Sequence, residues 1–240
     1  IYKYYLCKDI MTCNQEIVYD EKQILEIKGK NRSLLYCYEL NLYKRLRTFN
    51  AIRCLNKWSI INDYIDTKNQ LNCIEIGTHE GQSAHYFLKN ILVNPSSSLI
   101  CVDPFYKSSW SRTDPTVVNY EDMWDFNKDN NDKNNQLIKY TGLNSDFYTT
   151  DTFNNMKIDI AYIDDNHTYE STKLNIETIY SKLKDKGIMI FDDYDATYMD
   201  MTDKTAGFHW TLPVKKAVDE FLENTPMKIL YQEYQLILQK

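Results

Sequence analysis

The feature that most constrains this chain is a repeated change, from residue 71 onward, between short apolar runs and amphipathic helical segments. Runs that indicate strands occur at 71–76, 99–102, 136–140, 158–163 and 188–191, and then at 227–231 and 234–238. Apolar runs of this length between helices are typical of buried parallel strands. We therefore predict an α/β fold: a Rossmann-like, mostly parallel seven-stranded sheet with helices on both faces and a terminal antiparallel strand pair.

The chain divides by pattern into two predicted units. Residues 66–240 carry the Rossmann-like domain, and residues 1–65 form an N-terminal appendage of short strands and helices. Within the appendage we expect a hairpin from 16–19 and 23–27, followed by helical structure over 37–65.

Helices and loops between the strands have their own signals. We expect one helix from about Thr168 to a stop at Gly187, and another that opens at Thr211 and Pro213. The stretch 105–135 is polar with interleaved aromatic residues, as is a second loop at 194–210, and we predict that both are irregular. Their aromatic side chains either shape an acceptor pocket or pin the loops to the edge of the core.

The polar residues gather where the predicted strands end. Right-handed crossovers place all strand-to-helix loops at one edge of a parallel sheet, where ligands of open α/β sheets bind. The residues at these ends are Gly77, Gly81, Asp103, Asn144, Asp164, Asp192 and Asp193.

The first of these ends predicts a nucleotide-like ligand. Glycines at the first strand-to-helix turn let the backbone approach a ligand, and an acid at the end of the next strand can hold ribose hydroxyls. Gly77 and Gly81 with Asp103 match this pattern. An ordinary turn with a strand-end aspartate is the alternative, and the pattern does not distinguish NAD from S-adenosylmethionine.

A second group of polar residues predicts a cation site. Asp164, Asp192 and Asp193 follow two strands that we expect to be neighbours, and carboxylates suit Mg²⁺. His167 lies three residues after Asp164 and can take a proton near neutral pH. The alternative is that the aspartates cap turns and the histidine is structural.

Composition excludes several classes. The formal net charge of -6 does not suit a binder of nucleic-acid backbones, so no nucleic acid is expected as a partner. No apolar run approaches the roughly 20 residues that span a bilayer, so we expect no membrane association. The six cysteines form no CxxC pair. Reduced thiols in a cytoplasmic protein are the simplest interpretation.

The motifs together resemble a known family. Residues 73–92, 99–105, 158–170 and 187–194 look like class I S-adenosylmethionine-dependent methyltransferases. The most similar group includes the sugar O-methyltransferases of the macrocin and mycinamicin type, and the resemblance covers roughly residues 70–240. It implies an S-adenosylmethionine-dependent O-methyltransferase that acts on a sugar or other small hydroxyl acceptor, as in glycan modification, with Mg²⁺ as a further cofactor.

The resemblance also implies roles for individual residues. Asp103 would bind the ribose, and His167, assisted by Asp164, would be the catalytic base. Asp164, Asp192 and Asp193 would hold Mg²⁺. The remaining cofactor-binding residues, from the methionine end to the adenine end, would be Glu75, Gly77, Thr78, Gly81, Ser83, Asn144 and Ser145.

Three departures from the family pattern bear on the site. His79 takes the place of a second glycine in the first motif, and Asp165-Asn166 replaces a commoner Gly-Asp pair. Asp192 stands where the sugar enzymes carry glutamate, so its shorter side chain would shift a bound metal.

Two other functions stay open. A non-catalytic methyltransferase-like module of a larger protein would keep the fold without the chemistry, and an NAD-dependent oxidoreductase would leave the Asp164 and His167 group without a role. The chain begins at Ile1, so it is open whether it is part of a longer polypeptide. A homo-oligomer is open as well.

Overall fold

The computed structural model describes residues 2–6, 15–19, 57–79, 81–105, 120–195 and 208–240, and the findings below concern these residues. The strands are β1 Tyr2–Leu6, β2 Gln15–Tyr19, β3 Asn72–Ile76, β4 Ser98–Asp103, β5 Leu137–Thr141, β6 Ile158–Ile163, β7 Leu183–Phe191, β8 Lys228–Gln232 and β9 Leu236–Gln239.

The main sheet contains seven strands in the order β5-β4-β3-β6-β7-β9-β8. Strands β3 to β7 pair in parallel, whereas β9 runs antiparallel to both β7 and β8. The predicted mostly parallel sheet with a terminal antiparallel pair is therefore confirmed. The chain moves outward from β3 to β4 and β5 and then returns to β6, so the strand order reverses between β3 and β6. Ligands of open α/β sheets bind at such a reversal.

Helices cover both faces of this sheet. They are a 3-10 helix at Trp58–Asp63, an α-helix at Gln82–Tyr86 that continues as a π-helical turn at Phe87–Ile91, and α-helices at Tyr120–Asn131, Asn144–Phe147, Asp151–Asn154, Tyr169–Lys182 and Phe208–Asn224. The helix after Gly81 packs one apolar stripe into the core, because Ala84, Phe87 and Ile91 are fully buried.

Alternation of side chains along the strands produces two cores. Cys73 and Cys101 face the layer that contains Trp58 and Phe87. Ile74 and Val102, one residue further along each strand, face the opposite layer. Both cysteines are buried free thiols. Since both faces of β3 and β4 are buried, apolar side chains lie on both faces of these strands rather than on one face only.

The helix predicted from about Thr168 begins as expected but ends earlier. The Thr168 hydroxyl accepts a hydrogen bond from the Ser171 backbone N–H at 3.2 Å and caps the helix Tyr169–Lys182. The prediction that Gly187 stops this helix is wrong, because Gly187 lies inside β7. The register between β6 and β7 shifts between Leu183 and Ile188, so β7 has extra residues there.

Two further predictions of element bounds are corrected. Residues 105–135 are not wholly irregular, because Tyr120–Asn131 is a helix that Trp124 anchors in the core. The C-terminal helix begins at Phe208, and Pro213 lies within it rather than at its start. A proline at this position removes one backbone donor from the helix, which nevertheless continues to Asn224.

The N-terminal strand β2 was predicted, but with another partner. β2 pairs antiparallel with β1, whereas residues 23–27 lie outside the described residues. Of the helical stretch predicted at 37–65, the described part contains the 3-10 helix. Its Trp58 and Ile61 are fully buried against the main sheet. The boundary between residues 65 and 66 stays a prediction. None of the helices in the described ranges is long and apolar enough to cross a membrane.

Candidate active site

The turn after β3 lies directly against the end of β6. Gly77 has a φ of +84°, and a Cβ atom built on it would overlap the carbonyl oxygen of Asp164. The Asp164 backbone N–H donates to the Ile76 carbonyl at 2.8 Å. Glycine is therefore required at position 77 for backbone packing between two strand ends as well as for its positive φ.

Beneath this turn lies a buried carboxylate. Glu75 has no exposed surface, and its two oxygens accept hydrogen bonds from the hydroxyls of Thr78, at 2.7 Å, and Ser83. The Trp124 indole N–H donates to the Thr78 hydroxyl at 3.2 Å. Burial raises the Glu75 pKa to about 7, against the lowering effect of these hydrogen bonds. Glu75, Thr78 and Ser83 thus hold the turn together from inside, and their contact with a cofactor stays a prediction.

Asp103 lies at the end of β4, where the sequence placed a ribose-binding acid. One carboxylate oxygen accepts the His79 backbone N–H at 2.8 Å and the other accepts the Phe105 N–H at 2.6 Å. Burial raises the Asp103 pKa, the two N–H groups oppose this, and the charges of Asp164 and Asp165 add to it. A carboxylate oxygen has two lone pairs, so each still has one for a hydroxyl group.

His79 occupies the place of the family's second glycine. It adopts a φ of +50°, a left-handed conformation that glycine reaches without strain. Its backbone N–H is thereby aimed at Asp103, so the departure from the motif retains the glycine-like turn.

Asn144 is held by a network that the sequence analysis did not find. Its side-chain amide donates to Asp165 at 3.1 Å and to the Asn175 side-chain oxygen at 2.6 Å. Asn175 is fully buried, receives the Tyr148 hydroxyl at 2.6 Å and donates to Asp165 at 3.0 Å. Asn144 is therefore fixed in position, whereas its predicted neighbour at the adenine, Ser145, is exposed.

The second acidic group meets at the ends of β6 and β7. His167 Nε2 lies 3.2 Å from an Asp164 oxygen and 2.8 Å from an Asp193 oxygen. Burial alone lowers the His167 pKa, but the hydrogen bonds and charges of both carboxylates outweigh it and raise the pKa to about 11. Ligand atoms of Asp164, His167 and Asp193 all lie within 4.8 Å of one another, a grouping that can hold a metal ion.

Asp192 lies beside this trio but has a different partner. Its Oδ1 accepts a hydrogen bond from the Gln235 amide at 2.6 Å, while the Tyr234 hydroxyl donates to Asp193. Burial raises the Asp192 pKa strongly, and the charges of Asp164 and Asp193 raise it further. The structure therefore brings Asp164 and Asp193 together with His167, and it places Asp192 within their electrostatic reach.

These residues fit the groups that the resemblance implies. Carboxylate oxygens are the donors that Mg²⁺ prefers, and Asp164 and Asp193 present them from neighbouring strand ends. Burial raises the pKa values of Asp103 and Asp192, and the charge of Asp164 raises both further.

Some of the aromatic residues proposed for an acceptor pocket lie in the core instead. Phe105, Trp124 and Tyr194 are buried, which is the second of the two roles considered for them. The side chains of Tyr198, His209 and Trp210 fall outside the described residues.

Comparison with known proteins identifies the family of this chain. The family model described as "Methyltransferase domain" matches residues 74–194, from β3 to the residue after Asp193. The chain belongs to this methyltransferase family. The match covers the turn after β3, Asp103, the Asn144 network and the acidic group. Among curated protein sequences, none matches the chain.

Solved structures of methyltransferases share the fold. The O-methyltransferase from Bacillus cereus in complex with SAH is 14% identical, with 93% of each chain covered and a TM-score of 0.53. CalS11, a TDP-rhamnose 3'-O-methyltransferase of calicheamicin biosynthesis, is 16% identical, with 92% of this chain and 96% of that chain covered and a TM-score of 0.56. The O-methyltransferase NovP is 18% identical, with coverages of 79% and 80% and a TM-score of 0.54.

Proposed function

We propose that this methyltransferase transfers the methyl group of S-adenosylmethionine to a hydroxyl of a sugar or other small molecule, with the assistance of Mg²⁺. The observation that carries the proposal is the direct contact between the β3 turn and Asp164. It places the predicted cofactor turn against the cluster that could bind a cation and move a proton.

The charges of the site favour the cofactor. When bound, S-adenosylmethionine supplies a methyl carbon on a positively charged sulfur, and Mg²⁺ supplies Lewis-acid polarisation of the acceptor hydroxyl. Asp103 would accept the ribose hydroxyls on the lone pairs that His79 and Phe105 leave free. The carboxyl groups of Asp103 and Asp164, at the strand ends beside the β3 turn, favour a cationic ligand.

Bound S-adenosylmethionine would supply the methyl group, and the acceptor hydroxyl that takes it would give up its proton. We assign the proton to His167 Nε2, which faces Asp164 and Asp193. Those carboxylates orient the imidazole, but they also keep it protonated. His167 therefore acts as a base only when its pairing with them is loosened. Asp164 and Asp193, with Asp192 beside them, would hold the cation.

The choice of acceptor rests on likeness to relatives. CalS11, which shares this fold, is a TDP-rhamnose 3'-O-methyltransferase. A sugar hydroxyl is a weak acid, so a site with a carboxylate pair and a histidine suits it better than an acceptor that reacts without proton removal.

A label-transfer assay tests the proposal. Protein with methyl-labelled S-adenosylmethionine and a panel of nucleotide sugars and catechols is assayed with Mg²⁺ and with EDTA. We expect label in a hydroxyl acceptor, a rate that EDTA lowers, and about a 10²–10⁴-fold loss in a His167→Gln variant that still binds S-adenosylhomocysteine. An undiminished rate in that variant would exclude His167 as the base, and an undiminished rate in EDTA would exclude the metal.

A further inference from the structure

The turn between β8 and β9 contributes two side chains to the acidic group. Tyr234 and Gln235 come from this C-terminal hairpin, more than 40 residues after the aspartates that they contact. The Tyr234 hydroxyl donates to Asp193, and the Gln235 amide N–H donates to Asp192. Two adjacent residues of one turn thus hold two adjacent carboxylates.

A tryptophan fixes the orientation of Gln235. The Trp58 indole N–H donates to the Gln235 side-chain oxygen at 2.8 Å. Indole nitrogen is a donor only, so the amide oxygen of Gln235 must face Trp58 and the amide NH₂ must face Asp192. Both Trp58 and Gln235 are buried, and Trp58 is wedged against Tyr162 with ring centroids 4.6 Å apart. The amide therefore cannot flip without leaving a buried donor unpaired.

We infer that Gln235 is a positioning residue that orients the Asp192 carboxylate towards the cation site, with Trp58 fixing the direction of its amide. The inference rests on the proposed function, because it assumes that Asp192 contributes to cation binding. The physical basis of the inference is a hydrogen bond. When one Asp192 carboxylate oxygen accepts the Gln235 amide N–H, the other oxygen is held in a single orientation. Outer residues of this kind change metal affinity by roughly 10- to 100-fold when they are removed.

The test measures binding of Mn²⁺ alone, by the loss of its free-ion electron spin resonance signal. Gln235→Met keeps the side-chain length but removes the amide, and we expect its Mn²⁺ affinity to fall by about tenfold or more. Gln232→Leu is the matched control, because Gln232 is exposed in the same hairpin. A thermal melt of each variant ensures that binding is measured on folded protein.

A double-mutant cycle separates positioning from general damage. If Gln235 acts through Asp192, Gln235→Met should lower Mn²⁺ affinity by less than about twofold in an Asp192→Asn background. An equal loss in both backgrounds, or no loss in the single variant while wild type binds Mn²⁺, would overturn the inference alone. A wild-type protein that binds no Mn²⁺ would overturn metal assistance, and this role of Gln235 with it.

Discussion

The buried carboxyl of Glu75 makes stability depend on pH in a direction that can be measured. Its pKa is about 7 in the folded protein and 4.5 where burial does not act on it. The folded state therefore binds the proton more tightly than the unfolded state. The stabilisation of the folded protein by protonated Glu75 is complete below about pH 4.5 and is lost as the pH rises through 7. Substitution Glu75→Gln removes the ionisation and keeps the shape.

The size of the effect comes from the two pKa values. At about 1.4 kcal/mol per pKa unit, the free energy of unfolding of wild type relative to Glu75→Gln should fall by ~3 kcal/mol between pH 4 and pH 8. The negative charge of Asp164 contributes to the raised pKa, and the Thr78 and Ser83 hydroxyls oppose it. Because Glu75 is fully buried, solvent screening does not weaken this pH dependence appreciably.

The assay is urea unfolding followed by tryptophan fluorescence at several pH values for both proteins. Taking the difference between them cancels the titration of groups that they share. The same substitution at the exposed Glu223 is the reference for loss of a surface carboxylate. A difference between wild type and Glu75→Gln that does not vary with pH, or that grows as the pH rises, would refute the reasoning.

Two further substitutions test the packing around the site. Gly77→Ala should destabilise by about 3 kcal/mol or more in urea unfolding, because Cβ meets the Asp164 backbone. Gly81→Ala should cost only ~1–2 kcal/mol, because its φ is also positive but its new neighbour is the Trp124 side chain, and equal losses would contradict the backbone contact. Asn175→Leu should weaken S-adenosylhomocysteine binding several-fold in calorimetry, since Asn144 loses a partner. Thr172→Val on the same buried face should not, and equal affinities would show that the network does not support the cofactor site.

The sheet was predictable because its signal is local. Each buried strand is a short apolar run, and the fixed handedness of parallel connections places all their ends at one edge. This is why Asp103, Asp164 and Asp193 could be assigned to one crevice from the sequence. The bounds of the elements were less predictable where tertiary packing decides them. Gly187, for example, lies in an irregular strand and not at the end of a helix.

The residues that hold the site together were harder to find. The sequence contains one sign of the role of Asn175, which is a polar residue within the apolar helix face that contains Ile176 and Ile179. The sequence contains no such sign for Gln235 and Trp58, because their contact joins segments 177 residues apart and depends on how the terminal hairpin packs. The sequence predicts types of ligand residue, whereas these partners follow only from three-dimensional packing.

Asp103 offers the most direct test of a cofactor site in this methyltransferase. Wild type is titrated calorimetrically with S-adenosylhomocysteine, next to Asp103→Ala and Asp132→Ala. Asp132 also accepts two backbone N–H groups, from Gln136 and Leu137, but it precedes β5, away from the crevice. We predict binding on the order of micromolar in wild type and Asp132→Ala, and its loss in Asp103→Ala. No heat from folded wild type, or equal binding by Asp103→Ala, would contradict the account.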